Sequence, residues 1–503
     1  IQFLNPDGSV DLETNGRPVT LAVNGTQQEP SAVVTPDDRI AIVWEDARGN
    51  SPKIYAQLIS ATGERMWGDG GMEITDIDPL RQKDARVSFN LGDDSFYLGW
   101  SESVQVESNF FYHVYGQRIY NNQKMWGVNG RLISVLPTGS ENSECTLYGL
   151  NDSYYMWHRS SSDNTQTIWV KRVDSNGDAF AGWDIEGVKA STYNDWDTFQ
   201  ILPVAHQTPS GLFVMWKDLR GDFIPNYWGQ HFGPSGVREW DPIGVNLADR
   251  QNEQERPVIT SSMSGVTFAW CENLNGVHDI AIQKYSLSGL PQWGNLGYYV
   301  VQKDSTQSNP TMVKFNNGAQ IVAWTDFYNI ESDIYYKYVN EDGTMIGAPL
   351  GSVLTNASKP QYDPLAATLN NEAYVVWADG RSSGKTEILG LYAQKLNNPV
   401  ANDDPTAPPV GGITLDQNYP NPFNPNTKIS FSLAQAANGL KLQIFNLRGQ
   451  LVKELLSSDL PAGKHSYDWD GRDNSGNGVA SGMYFYKLSG DNVSMQKKMI
   501  LMK

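Results

Sequence analysis

Residues 42–57 read IVWEDARGNSPKIYAQ, and residues 375–394 read VVWADGRSSGKTEILGLYAQ. A tryptophan, an acid two residues on, an arginine and a Tyr-Ala-Gln recur at opposite ends of the chain. Scanning for the same pattern recovers seven units, anchored on Trp44, Trp100, Trp157, Trp216, Trp270, Trp324 and Trp377, at spacings of 56, 57, 59, 54, 54 and 53 residues. A sustained period of this length marks a repeat architecture and takes precedence over any local reading.

Before each tryptophan the residues are apolar or alternate, as in RIAIVW, GLFVMW, AQIVAW and EAYVVW, the pattern of an inner strand covered on both faces. A second column follows 13 to 17 residues later: Gln57, Gln117, Lys171, Gln230, Gln283, Lys337 and Gln394. An aromatic stands two residues before it in every unit but the fifth, which has Ala281. Turns such as SATG, DSNG, GPSG, SLSG and NEDG come next, and five units then carry a further tryptophan, Trp67, Trp126, Trp183, Trp240 or Trp293. Short strands divided by Gly, Asn, Asp and Pro turns, with no helical period between them, predict about four strands per unit. Seven such sheets predict an all-β fold, a seven-bladed β-propeller over residues 1–397, in which radial repetition leaves only short, protected edges. The last unit stops after GLYAQKL, while residues 1–27 align with the end of a unit. The propeller is therefore expected to be closed by its N-terminal strand, one blade being built from both ends so that no open edge remains.

Composition narrows the function classes. The chain of 503 residues is 40% hydrophobic, enough for a large core and too long for one ordinary domain. Its net charge of −18 would repel a phosphate backbone or an anionic bilayer, so nucleic acid is not an expected partner. No apolar run approaches the roughly 18 residues of a membrane span. IQFLNPDG lacks a basic and apolar leader, as expected of a mature chain. The two cysteines, Cys145 and Cys271, provide no disulfide framework and are expected to stay unbridged.

At NNPVANDDPTAPPVGG the repeat stops and a Pro, Asp and Gly-rich linker, residues 398–412, begins. Residues 413–503 form a second domain: a proline-punctuated lead-in, DQNYPNPFNPNTKISFSL, then alternation at Ile429, Phe431 and Leu433, then KLQIFNLRGQLVKELL, GKHSYDWDG, GMYFYKLSG and VSMQKKMILMK. The physical reading is a small antiparallel sandwich. This domain holds ten Lys and Arg against seven Asp and Glu, net +3, leaving −21 on the rest.

Candidate chemistry is set by the same columns. Asp46 and Arg48, Asp218 and Arg220, and Asp379 and Arg381 are acid and arginine two apart, a spacing that suits a catalytic or sugar-binding pair. Because they recur with the repeat, they are read as structural pairs at a strand end. Arg159 replaces the acid in the third unit. The outer tryptophans offer faces for sugar stacking but are read as packing between blades. The histidines at 113, 158, 206, 231, 278 and 465 have no metal-ligand spacing. DSNGD at 174 and DWDGRDN at 468 lack the full ligand series of a calcium loop and are read as turns. No residue is therefore assigned as catalytic, cofactor-binding or metal-binding, and no cofactor is expected.

Two resemblances add to this reading. The Trp-x-Asp-x-Arg, Ile-Tyr-Ala-Gln, Gly and Trp pattern of residues 1–397 resembles a repeat of secreted bacterial proteins and carries no activity with it. The QNYPNPFNP lead-in, FNLRGQLVKEL, WDGRDNSGNGVASGMYFYKL and the basic KKMILMK tail resemble the type A sorting domain of the type IX secretion system, related in fold to the Ig-like domain of flagellar hook-capping proteins. That resemblance implies an Ig-like sandwich, a Gram-negative source, export to the cell surface or medium, and the type IX machinery as a partner. The expected function is a non-enzymatic, secreted or surface-bound propeller acting in binding, adhesion or extracellular assembly. Surface glycans, or other copies of the chain in a head-to-tail polymer, are the expected partners. The alternative is a polysaccharide-active hydrolase or lyase with its site at the propeller channel.

Overall fold

Each anchoring tryptophan lies on the second strand of its own antiparallel sheet in the computed structural model of the chain. The structure describes all residues except 4–10, 14–15, 22–23, 50, 77–80, 107–108, 135–143, 152, 162–164, 196–197, 221–223, 249, 251, 275, 328–331, 370, 382–389, 399–412, 416–417, 419–420, 422, 434–435, 447–449, 462, 491–492 and 503. The first sheet pairs Gln27–Val34, Ile40–Asp46, Lys53–Ile59 and Met72–Glu73 in chain order. The same order repeats in the sheets opened by Gln82–Asn90, Glu144–Asn151, Gln200–Thr208, Gln254–Ser262, Gln307–Lys314 and Gln361–Leu369. These opening strands pack on one another from the first sheet to the seventh, which puts them innermost in a seven-bladed propeller. The second and sixth sheets gain a short fifth strand, and the seventh shows three strands among the described residues.

The core lies between sheets. Trp100, Trp157, Trp216, Trp270 and Trp324 are at most 1% exposed, each ring facing the preceding sheet. The outer tryptophans join neighbours at the rim, as the packing reading expected. Their indole nitrogens donate to the turn of the next sheet: Trp67 to Asn122 Oδ1 at 2.8 Å, Trp126 to the Ser175 carbonyl at 2.9 Å, Trp183 to Pro234 at 2.9 Å and Trp240 to Leu287 at 2.8 Å. Such rings bury a large apolar area while keeping the N–H satisfied.

The second column has a defined task. Gln57 Oε1 accepts the N–H of Leu58 and of Trp67, and its Nε2 donates to the Gly68 carbonyl, so one amide ties the third strand to the rim turn. Gln117, Gln230 and Gln283 repeat the arrangement. Gln2 does so as well, accepting from Phe3 and Leu12 and donating to Glu13. The N-terminal stretch thus has the structure of a blade end, as its alignment predicts. Within it, Ile1 and Arg17 exchange backbone hydrogen bonds. The stretch docks on the first sheet, through Arg17 to Glu64 and to the Gly63 carbonyl.

Among the described residues, nothing covers Leu391 on the flank of the seventh sheet. Leu391 is 81% exposed, whereas its counterparts Ile54, Val114, Ile168, Tyr227, Ile280 and Ile334 are all at or below 2%. On the first sheet Gln27 is exposed, while Gln82, Gln200, Gln254, Gln307 and Gln361 are buried.

The chain divides into two compact units, Ile1–Asn398 and Pro399–Lys503. In the second, Ile413–Leu415, Thr427–Leu433 and Gly463–Trp469 form one sheet, and Leu451–Leu460, Ala437–Asn446, Gly482–Gly490 and Val493–Leu501 the other. Ile429, Phe431 and Leu433, the alternating residues, are fully buried with Leu442, Ile444, Trp469, Tyr486 and Met499.

Candidate functional site

Asp46 ends the second strand of the first sheet with its carboxylate buried. It accepts the Trp44 indole N–H at 2.8 Å, the Arg48 backbone N–H at 2.9 Å and two guanidinium hydrogens of Arg48 at 2.9 and 2.5 Å. The guanidinium lies 3.8 Å over the Tyr55 ring, which stacks on Trp44 at 6.2 Å. Four motif residues therefore form one stack of cation, aromatic and tryptophan clamped by a carboxylate. Burial alone would raise the Asp46 carboxyl, but the bonds from Arg48 and Trp44 outweigh it and hold it below the usual range. Asp379 repeats this with Trp377, Arg381 and Tyr392, and its carboxyl is held low for the same reasons. Asp218 does so with Trp216, Arg220 and Trp228.

Other sheets reach the same arrangement with a cation from elsewhere in the chain. Lys303 meets Asp326 at 2.6 Å and lies over Tyr335, and Arg250 meets Glu272 at 2.9 Å and lies over Tyr299. In the second sheet neutral donors serve: Gln82 Nε2 at 2.6 Å and the Trp100 indole at 3.1 Å approach Glu102. The third sheet reverses the sign. Arg159, 6% exposed, lies 5.2 Å over the Trp169 ring and has no ion pair among the described residues.

A ring of bulges on the innermost strands was not anticipated from sequence. The register shifts at Gln28/Ser31, Lys83/Arg86, Ile201/Val204, Glu255/Val258, Ser308/Thr311 and Tyr362/Leu365. At each shift one residue is left-handed: Glu29, Asp84, Leu202, Arg256, Asn309 and Asp363, with φ from 48° to 59°. Bulges re-aim side chains and terminate pairing, and left-handed Leu, Glu and Arg carry strain. The available signal was a proline three residues after a glutamine, at Pro30, Pro203, Pro257, Pro310 and Pro364, since proline inside a strand is confined to edges and bulges. The glutamines bridge neighbouring sheets: Gln82, Gln200 and Gln254 accept the N–H of Ile54, Ile168 and Tyr227. Adjacent bulges also touch, Asn309 donating to Asp363. Burial raises the Asp84 carboxyl, and its Oδ2 has no hydrogen-bond partner.

The turns read as incomplete calcium loops use their acids internally. Asp174 accepts the N–H groups of Asn176 and Asp178, and Asp473 those of Ser475 and Asn477. Among the described residues no three His, Cys, Asp or Glu side chains are grouped as metal ligands, and no helix is long and apolar enough to cross a membrane.

Residues 418–494 match the FlgD Ig-like domain, in agreement with the sandwich just described. No curated protein matches the chain. Among solved structures, a sialidase of Streptococcus pneumoniae is similar at 9% identity and a TM-score of 0.39, over 77% of this chain and 70% of that one. An α-L-arabinofuranosidase of Fusarium graminearum is similar at 8% identity and a TM-score of 0.35, over 75% and 96%. A protein of unknown function from Dyadobacter fermentans is similar at 9% identity and a TM-score of 0.34, over 75% and 96%. These likenesses bring no activity to this chain. It is an all-β, seven-bladed propeller followed by a FlgD-like Ig domain.

Proposed function

We propose that this chain is a secreted bacterial binding protein, non-enzymatic, that acts in adhesion or extracellular assembly at or beyond the outer surface of a Gram-negative cell. Its Ig-like domain serves as the address read by the type IX secretion machinery. The observation that carries the binding reading is the commitment of the motif carboxylates. Asp46, Asp218, Asp326 and Asp379 are each held by an indole N–H and a cation, which leaves them poor proton donors or nucleophiles. The FlgD-like match supports the export reading, together with the QNYPNPFNP and KKMILMK segments. Loops of unequal length at the motif end of the sheets give a rigid scaffold the variation that recognition needs.

A second reading, hydrolysis or lysis of a polysaccharide at the channel, draws on Asp84. A half-buried carboxyl with a raised pKa on an innermost strand has the character of a general acid. Incubating the purified chain with a glycan panel, scored for both binding and product release, separates the two. Retention without turnover supports binding. Turnover lost in Asp84→Asn would reverse the order of the readings, and full-length protein confined to the cytoplasm of the native host would refute the export role.

A further inference from the structure

We propose that Arg159 is the anchor of an anion subsite between the second and third sheets, which takes the carboxylate or sulfate group of an acidic saccharide. The inference rests on the binding reading above and names its ligand class. Six sheets place a carboxylate two residues after the anchoring tryptophan, and the third places a guanidinium there. Arg159 is 6% exposed, and its Nε is buried without a hydrogen-bond partner among the described residues. A buried unpaired charge is strongly unfavourable, and burial of this kind is ordinarily matched by a counter-charge. None of the described residues supplies one, and the counter-charge is assigned to a ligand.

The surroundings fit an oxyanion on a ring. Arg159 shares a strand face with Tyr155 and Trp157, which pack against Tyr97 and Val114 of the second sheet. On the facing strand Ser103 shares the parity of Tyr97, and its Oγ is also buried without a partner. Lys83, of the same sheet, adds a second positive charge over the Tyr112 ring at 3.9 Å, with Asp84 3.8 Å from its ammonium. A guanidinium offers a planar fork that a carboxylate or sulfate meets with two oxygens. The half-buried Trp169 ring beneath it adds an apolar plane of the kind a sugar ring covers. On a chain of net charge −18, an unpaired guanidinium of this sort selects for acid against neutral ligand.

The test is calorimetric titration of the full chain with trigalacturonate, a sulfated heparin tetrasaccharide, neutral galactotriose and a triglutamate peptide. Each is repeated on Arg159→Gln and Arg159→Lys after melting curves establish that both variants fold. At least one acidic saccharide is expected to bind, galactotriose not, with affinity at least tenfold lower in Arg159→Gln and partly kept in Arg159→Lys. Equal binding of acidic and neutral sugars, or binding indifferent to Arg159→Gln, would overturn the subsite and leave the binding reading intact. Triglutamate bound as tightly as trigalacturonate would overturn the saccharide assignment. Cleavage of any probe would count against the binding reading itself.

Discussion

Leu12 sits over Gly63 as Trp126 sits over Gly177: a Cβ on either glycine would approach within 3 Å of the apolar side chain above it, 2.7 Å from Leu12 Cδ2 and 2.9 to 3.1 Å from Arg131 and the Trp126 ring. Trp183, Trp240 and Trp293 cover Gly236, Gly289 and Gly343 in the same way. The N-terminal stretch thus caps the first sheet as a preceding blade would. Deleting residues 1–21 uncovers that turn and removes the bonds of Arg17 to Gly63 and Glu64 and that of Gln57 to the Val19 carbonyl. A loss of about 5 °C or more in melting temperature is expected, since about 1 kcal/mol corresponds to roughly 2–4 °C in a domain of 150–250 residues and less in a larger one. Gln2→Ala is expected to reproduce part of the loss, and calorimetry showing no change for either would refute the docking.

Acid should weaken the repeated stack. Asp46 and Asp379 have folded-state carboxyls held below their ordinary value. Their contribution is therefore fully present above the unfolded pKa of about 4 and is lost as pH falls through the lower folded value. Between pH 5 and 7 these groups leave the melting temperature flat; below about pH 4 it falls. Asp46→Asn is expected to cost about 1–3 kcal/mol at pH 7, as for hydrogen bonds to a charged group, and to flatten the acid limb. Asp46→Asn and Asp379→Asn together should add, being on separate sheets. An acid limb identical to that of the parent chain would contradict this.

Two glycines with the same backbone separate strain from packing. Gly71 and Gly127 both have φ +77°. A Cβ on Gly71 would lie 2.7 Å from the Trp44 ring and 2.9 Å from the Ala56 carbonyl, whereas on Gly127 it meets nothing within 4 Å. Gly127→Ala should cost about 1–2 kcal/mol for the left-handed backbone, and Gly71→Ala a further 1–3 kcal/mol or so for overpacking. Chemical denaturation of the two variants measures the difference, and equal midpoints would show that the tryptophan yields freely.

The repeat was legible because burial is a local pattern: each second strand writes its two covered faces into consecutive residues, as in GLFVMW. The Asp46 and Arg48 pair was legible for the same reason, both groups lying two residues apart on one strand end. What escaped notice is non-local. Lys303 and Arg250 reach Asp326 and Glu272 from the loops before their sheets, with no fixed spacing to betray them. The bridging glutamines recur at the head of every innermost strand but the third, but that recurrence does not say that their hydrogen bonds run across blades. Arg159 was visible as a departure from its column, but its lack of a partner among the described residues depends on non-local packing. Cys145 belongs to an innermost strand, as its position predicts, though its side chain lies outside the described residues.

Cys271 should be inert in the folded chain. It is 1% exposed, and burial pushes its thiol up to about 12, so the thiolate that reacts is scarce at neutral pH. In a Cys145→Ser background, Ellman's reagent is expected to titrate no thiol in the native protein and one thiol after denaturation. Rapid labelling of native protein would place the fifth sheet's core in contact with solvent.

The two exposed flanks are expected to close on one another as halves of one interface. Wherever a sheet is followed by another, the residue paired opposite the one after the tryptophan is covered, and in the second, fourth and fifth sheets the leading glutamine accepts its neighbour's N–H. The seventh sheet presents Leu391 at that position, 81% exposed, and the first sheet presents Gln27, also exposed. By the rule that governs the rest of the ring, Gln27 accepts the Leu391 N–H when the first sheet closes on the seventh. Leu391 then becomes buried like Ile54, contributing about 1.5–3 kcal/mol for a fully covered aliphatic side chain. Leu391→Asp should therefore destabilise the chain although the residue stands at the surface, whereas Leu290→Asp, at an exposed rim turn, should not. A chain carrying Gln27→Cys and Leu391→Cys, with Cys145 and Cys271 replaced by serine, is expected to react with a short bismaleimide within one molecule, migrating as a compact monomer on denaturing gels. Dimers and ladders in place of that monomer would mean that the flank is covered by another copy, and unlinked chains with an unperturbed Leu391→Asp variant would mean that it is not covered.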